Sequence, residues 1–297
     1  MGLPIRGRVM EDVPMRRYTS MKTGGRVPFL IYPCDEQDLL SAVAALKDRG
    51  IPYRFLGNGT NVIVHDQGLR EAIIRLTQIS RLRYRKVDEG VLAQVSAGMS
   101  LRRFIKECEK RGLAGLERLF SIPGTIGGAI KMNAGSFGLS ISERLKELRI
   151  LDREGLITEP PRERVWFGYR SSFVREGVCV LGAVFLLKEE DRAKIRQQME
   201  MVLKERRDRH PVGFPTAGSV FKNVGDTPAW KLIEKAGLRG LRIGDACISE
   251  KHANFIINLG SASAWDIKRL VETIKREVFE KTGIMLQEEI EFWGFDE

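Results

Sequence analysis

The sequence predicts an α+β protein built from more than one domain. Three observations point there. The 297 residues exceed one typical domain. Short apolar runs first alternate with an amphipathic helix, then give way to strands separated by tight turns. Between two of those strand regions lies a Gly-rich stretch, Ser121 to Gly138, with Gly124, Gly127, Gly128, Gly135 and Gly138 among hydroxyls and an Asn.

Taken in order, Phe29–Tyr32 reads as a strand that ends before Pro33. Asp35 caps a helix to Arg49 with Leu39, Leu40, Val43 and Leu46 at helical spacing, and Gly50 closes it. Tyr53–Leu56 and Val62–Val64 read as strands around the loop Gly57-Asn58-Gly59-Thr60-Asn61. Ala72–Leu76, Leu82–Val87 and Val91–Val95 are short β-runs, with Asp88-Glu89-Gly90 as a hairpin turn. Ser100 caps a helix to Lys110, ended by Gly112. Strands return at Glu147–Leu151 and Val178–Leu187, and Asp191–Arg209 is a long charged helix. His210 to Pro215 reads as a linker, so a domain boundary is expected near residue 200. Beyond it, Thr227 caps a helix with Pro228 at its first position, and Ser263 with Asp266 forms a capping box on a helix to about Lys281. Ile284–Trp293 alternates like a strand.

Composition limits function. At 43% hydrophobic and 30% charged residues, the chain can build a core and is too apolar for disorder. No run approaches the roughly 18 apolar residues of a membrane span, and the N-terminus lacks an apolar signal core. A cytoplasmic protein with no membrane partner is expected. The net charge of +10 invites polyanions. The basic residues are scattered, however, and no nucleic-acid-binding motif occurs. Small anionic ligands fit better than nucleic acid. Cys34, Cys108, Cys179 and Cys247 lie far apart, and His65, His210 and His252 are scattered, so neither a disulfide or redox pair nor a metal site is expected.

The Gly-rich stretch suits an anionic phosphate, because glycine allows close approach to the main chain and successive N–H groups form an anion nest. Gly57–Asn61 is a second phosphate-loop candidate. It is not a dinucleotide-binding fingerprint, since Val62 stands at the third glycine and a strand follows. A serine-hydrolase reading fails as well, because Gly-x-Ser-x-Gly is absent.

Five motifs occur in one order: Gly57–Asn61; Ile122–Ala129 with Asn133-Ala134-Gly135; Gly168–Ser171; Ala217–Asn223; and Lys251–Phe255. Together they resemble the UDP-N-acetylenolpyruvoylglucosamine reductase family, from about Thr23 to Trp293. The resemblance implies a two-subdomain FAD-binding module of the vanillyl-alcohol-oxidase type (residues 1–78 and 79–199) and a C-terminal α+β substrate domain (200–297), whose last strand can return to the FAD module. It implies FAD and NADPH as cofactors and a UDP-sugar bearing an enolpyruvyl group as substrate, in a protein expected to be monomeric.

Onto the matching positions it places FAD contacts at Gly57, Asn58, Gly59, Thr60, Asn61, Ser121, Pro123, Gly124, Thr125, Gly127, Gly128, Asn133, Ala134 and Gly135. Arg170, Ser219 and Glu289 match the catalytic arginine, proton donor and acid. Gln287 stands where the family usually carries a glutamate, which leaves Glu288 as a competitor to Glu289. Tyr169, Arg209, His210, Lys222, Asn223, Lys251 and His252 fall at substrate contacts. In a strand, Ser219, Phe221 and Asn223 would share one face. Forty-eight residues without a tyrosine separate Arg170 from Ser219, so the chain resembles the type lacking a tyrosine-bearing insert loop. An FAD-linked oxidase of the same fold and a basic nucleotide-binding protein are the competing readings.

Overall fold

The computed structural model describes residues 3–295. The chain divides into two compact units. The first takes residues up to Glu11, Phe29–Asn58 and Arg70–Glu205; the second takes Asp12–Pro28, Gly59–Leu69 and the chain from Arg206. The last change of unit falls between Glu205 and Arg206, and two N-terminal segments group with the C-terminal region.

In the first unit Ala72–Ile74 pairs in parallel with both Arg26–Tyr32 and Tyr53–Phe55. The helix α1 (Glu36–Asp48) is capped by the Asp35 side chain, which accepts the Asp38 N–H. Its Leu39, Ala42, Val43 and Leu46 are buried with Ile31, Ala72 and Ile74, as 3.6-residue spacing requires. A larger antiparallel sheet runs in the order Ile157–Thr158, Leu145–Leu151, Cys179–Glu189, Gly90–Ser96, Leu82–Val87. The expected hairpin turn Asp88-Glu89-Gly90 forms with two residues, Asp88 and Glu89, because Gly90 already pairs with Val87. The helix α2 (Leu101–Lys110) carries its expected Ser100 cap and buries Phe104 against Phe185, ring centroids 5.5 Å apart.

The Gly-rich stretch holds an element that the sequence reading missed, the short helix α3 (Ile126–Lys131). Thr125 caps it, and Ile126, Ala129 and Ile130 are buried. Those three residues sit at i, i+3 and i+4, a helical stripe hidden by the glycines between them. The charged helix α4 (Arg192–Arg209) buries Ile195, Met199 and Val202, with Leu203 partly buried against the same core.

The second unit surrounds a core of Phe221, Ile233, Ile248, Ile267, Val271 and Ile274, joined by Met21 and Ile63 from the N-terminal segments. It contains α5 (Ala229–Lys235), a three-stranded sheet of Arg242–Ile243, Ala246–Ile248 and Ile256–Asn258, and α6 (Ala264–Thr282). The Ser263–Asp266 capping box forms, and Asp66 accepts the Ala264 and Trp265 N–H groups at 2.8 and 3.1 Å. Val62–Val64 pairs in parallel with Glu291–Trp293, which explains why Ile63 joins this core.

Two expectations are corrected here. Pro228 is the N-cap of α5 rather than its first residue, and the cap oxygen comes from Asn223, whose Oδ1 accepts the Ala229 N–H at 3.1 Å. Strand geometry covers only Glu291–Trp293 of Ile284–Trp293. Leu286 and Ile290 are nevertheless buried, because the segment is pinned by single bonds from the Ser219 region. Among the described residues no helix is long and apolar enough to cross a membrane, and no cluster of metal-ligating side chains occurs.

Candidate active site

In the first unit Gly57 of one glycine-bearing motif meets Thr125 of the other, while Gly59 and Thr60 of the same loop group with the second unit. A Cβ placed on Gly57 would lie 2.6 Å from Thr125 Oγ1, so only glycine fits. The N–H groups of Gly57, Asn58, Gly59 and Thr60 donate to no acceptor among the described residues. Four successive main-chain donors left unused make an anion nest. The α3 N-terminus differs. There Ile126 and Gly127 donate to Met99 and Ala97 carbonyls, and Gly128 to Thr125 Oγ1. Those three N–H groups are engaged within the protein, whereas those of the Gly57–Thr60 loop are not.

Gly127 and Gly128 also separate in role. A Cβ on Gly127 would meet Ala97 Cβ at 3.1 Å, whereas one on Gly128 would meet only Thr125 Oγ1 at 3.4 Å. Gly127 is required by packing; Gly128 faces open space. Asn133, at φ 41°, donates its amide to the Gly168 carbonyl at 2.9 Å. Its buried Oδ1 has no hydrogen-bond partner, an acceptor suited to an N–H or O–H of a ligand. The unused nest, the open face at Gly128 and the orphaned Asn133 oxygen together fit FAD.

Asn133 also ties this region to Arg170. Phe167–Gly168 and Ser171–Ser172 form a hairpin with Tyr169-Arg170 at its turn. Arg170 adopts φ 51°. The second residue of such a turn is ordinarily glycine, and a branched long side chain there costs roughly 1–2 kcal/mol. The side chain is anchored by a 2.9 Å bond from Nη2 to the Gly135 carbonyl and lies over the Tyr169 ring at 5.3 Å. A Cβ on Gly135 would sit 3.0 Å from Arg170 Nη1, so that glycine makes room for the guanidinium. Such strain at a motif residue raises a functional hypothesis for Arg170. Arg170→Gly is therefore expected to leave the thermal midpoint unchanged or slightly higher, since the relieved strain offsets the entropy of glycine, while turnover collapses. A calorimetric scan beside an activity assay checks this; a large drop in midpoint would show a structural arginine.

In the second unit the segment carrying Ser219 is held residue by residue. Val220 donates to the Asn254 carbonyl, and the Asn254 side chain closes both polar groups of Phe221, accepting its N–H at 2.9 Å and donating to its oxygen at 2.8 Å. The neighbouring chain brings in the acid, for Glu289 N–H donates to Val220 O at 2.8 Å and Lys222 N–H to Gln287 O at 2.9 Å. Ser219 and Glu289 thus lie on adjoining segments. The Ser219 hydroxyl is half-buried and bonds no group among the described residues. The Glu288 carboxylate is engaged 3.1 Å from Lys275 on α6, which favours Glu289 as the acid.

The expected shared face of Ser219, Phe221 and Asn223 does not form. The segment makes isolated bridges at Ser219↔Phe255 and Phe221↔Glu288, and Phe221 is a core residue at 1% exposure. Asn223 serves as the α5 cap described above. Lys222 pairs with no carboxylate among the described residues. Asn254, 4% exposed, was missed as an individual residue although its motif was visible; a buried Asn two residues after a His was the signal.

The two expected basic sets form one cluster. His210 and His252 rings lie 5.2 Å apart, each 4.9 Å from Phe255, and Lys251 Nζ donates to the Arg207 carbonyl at the end of α4. Burial, with Arg206 and His252 adding repulsion, pushes the His210 pKa down to about 4; burial also lowers that of His252. His252 Nδ1 accepts the Asn254 N–H at 3.3 Å, which fits the neutral ring. A histidine whose folded pKa lies below its unfolded value contributes stability above about pH 6.5 that is lost as pH falls toward 4. The thermal midpoint is expected to fall between pH 7 and 5, and less so in His210→Gln; equal falls in both proteins would contradict this. A separate cavity of about 180 Å³, lined by Glu36, Arg83, Gln94, Glu147 and Arg149 among others, contains none of the candidate residues.

The sequence comparisons settle the family. A curated relative from Geobacter metallireducens, called UDP-N-acetylenolpyruvoylglucosamine reductase, is 41% identical over 98% of this chain and 95% of its own. The chain belongs to the UDP-N-acetylenolpyruvoylglucosamine reductase family. A reductase of the same name from Caldicellulosiruptor bescii is also 41% identical, over 96% of this chain and 90% of that one. The family model for the reductase C-terminal domain matches residues 210–293, and that for an FAD-binding domain matches residues 27–159. The crystal structure of the reductase from Thermus caldophilus superposes with a TM-score of 0.80 at 35% identity, covering 97% of this chain and 99% of that chain. Like its family, the chain is an FAD-containing oxidoreductase of peptidoglycan precursor synthesis, and its α+β fold with an FAD-binding module agrees with the expected class.

Proposed function

We propose that the protein reduces UDP-N-acetylglucosamine enolpyruvate to UDP-N-acetylmuramate with NADPH. The observation that supports the residue assignment is the Glu289 N–H to Val220 O bond, which sets the Glu289 main chain beside the segment that carries Ser219. FAD, which Gly57–Asn61 and Ser121–Gly135 would hold, would supply the hydride chemistry between NADPH and the enolpyruvyl methylene carbon.

The protein's own groups do the rest. Adding hydride to that carbon drives negative charge onto the substrate carboxylate and its adjoining carbon. Arg170, permanently charged and planar, grips the carboxylate through two hydrogen bonds. Ser219 Oγ gives its proton to the carbon bearing the carboxylate. A serine is a weak acid, but a carbanion-like enolate is a base strong enough to take its proton. Glu289 stabilises and orients that exchange. Lys222, with the cluster around Arg209, His210, Lys251 and His252, balances the substrate diphosphate, and Tyr169 and Asn223 complete the contacts. Gly57–Asn61 and Ser121–Gly135 hold the FAD. We assign the protein to the cytoplasm as a monomer, with FAD subdomains at 1–78 and 79–199 and a substrate domain at 200–297.

The test is NADPH consumption by the purified protein. It should require the enolpyruvyl sugar, and the product should be heavier by two hydrogens. Consumption that ignores the sugar and tracks oxygen would replace this reading with an oxidase.

A further inference from the structure

Ser20 lies in the N-terminal segment, 199 residues from Ser219 in sequence, and carries none of the roles above. Its N–H donates to the Gly59 carbonyl at 2.9 Å, and its Oγ donates to the Thr216 carbonyl at 2.7 Å. Gly59 belongs to the nest loop, and Thr216 precedes Ser219 by three residues across Gly218, which sits at φ 87°. One side chain therefore spans the cofactor loop and the root of the proton-donor segment. A second tie runs in parallel. Asn61, at the other end of the same loop, donates its amide to the Glu289 carbonyl at 2.9 Å, and its own carbonyl accepts the Glu291 N–H at 2.9 Å.

We infer that Ser20 is a positioning residue that sets the Ser219 hydroxyl in register with the nest loop, Asn61 doing the same for Glu289. The inference rests on the proposed role of Ser219. Its physical basis is a flexible root. Gly218 has open space where a Cβ would be, and Thr216 and Gly218 lie in no helix or strand. The Asn254 clamp fixes Val220 and Phe221, on the far side of Ser219. On the near side the Ser20 hydroxyl holds Thr216, next to Pro215, whose carbonyl accepts the Asn258 N–H at 3.0 Å. With both ends held, Ser219 has one orientation; with the near end released, the hydroxyl samples several, and only one serves proton transfer. Ser20 itself touches no reacting atom in this scheme.

The hydroxyl bond is short and partly buried, so its loss is expected to slow the step it serves about tenfold. Ser20→Ala should bind FAD fully and be reduced by NADPH at the wild-type rate, while flavin reoxidation by the enolpyruvyl sugar slows about tenfold. Ser20→Thr, which restores a hydroxyl, should recover most of that rate. Amide hydrogen exchange across Thr216–Ser219, measured without any turnover, should quicken in Ser20→Ala and not in Ser20→Thr. A double-mutant cycle separates the two readings. If Ser20 acts through Ser219, adding Ser20→Ala to Ser219→Ala slows reoxidation no further. Independent, multiplying losses overturn the inference, as does a Ser20→Ala protein with wild-type reoxidation or unchanged exchange. A Ser219→Ala protein with normal reoxidation would instead refute the proton-donor role, and the exchange result would still report whether Ser20 holds the segment.

Discussion

Ser219→Ala is expected to leave flavin reduction by NADPH close to normal while slowing reoxidation by the enolpyruvyl sugar by on the order of 10² to 10⁴. The proposed reaction has two halves, and only the second needs a proton on the substrate carbon. Glu289→Gln should show the same asymmetry, because its carboxylate is needed only when charge develops on the substrate. Glu288→Gln should be mild, since that carboxylate is engaged with Lys275 at 3.1 Å on the α6 side. Stopped-flow absorbance of the flavin resolves the halves. Equal slowing of both in Ser219→Ala would make the serine structural, and a severe Glu288→Gln defect beside an active Glu289→Gln would move the acid one residue upstream.

Gly128→Val is expected to yield a folded, colourless protein. The added branch points where only Thr125 Oγ1 stands, at 3.4 Å, so the protein itself accommodates it. The space it takes is the space a cofactor needs. Gly127→Val is the contrasting variant. Its Cβ meets Ala97 at 3.1 Å, so that protein should lose stability as well as colour. Flavin absorbance and a thermal melt distinguish them. Full flavin in purified Gly128→Val would remove this glycine from the cofactor site.

Much of this was legible in the sequence, for identifiable reasons. Asp35, Ser100 and Ser263 announce their helices because a cap is a local event, one side chain serving an N–H three residues on. The motif carrying Arg170 was visible too, but not that its backbone sits at positive φ in a turn where glycine is usual. The α3 helix stayed hidden because its glycines imitate a loop, and which loop N–H groups stay unused was hidden too, because that depends on partners such as Ala97 and Met99, supplied by another segment. The face shared by Ser219, Phe221 and Asn223 failed for a related reason. Period-two alternation holds only in a regular strand, and this segment is held by Asn254 and by the Gln287–Glu289 backbone instead. Ser20 could not have been found at all, since its significance lies in contacts nearly two hundred residues away in sequence.

The most direct test of the central claim is an anaerobic mixing experiment on the purified yellow protein. NADPH alone should bleach the flavin, and the enolpyruvyl sugar added next, without oxygen, should restore the colour with one UDP-N-acetylmuramate formed per flavin. If the colour returns only when oxygen is admitted, the protein does not carry out the reaction proposed for it.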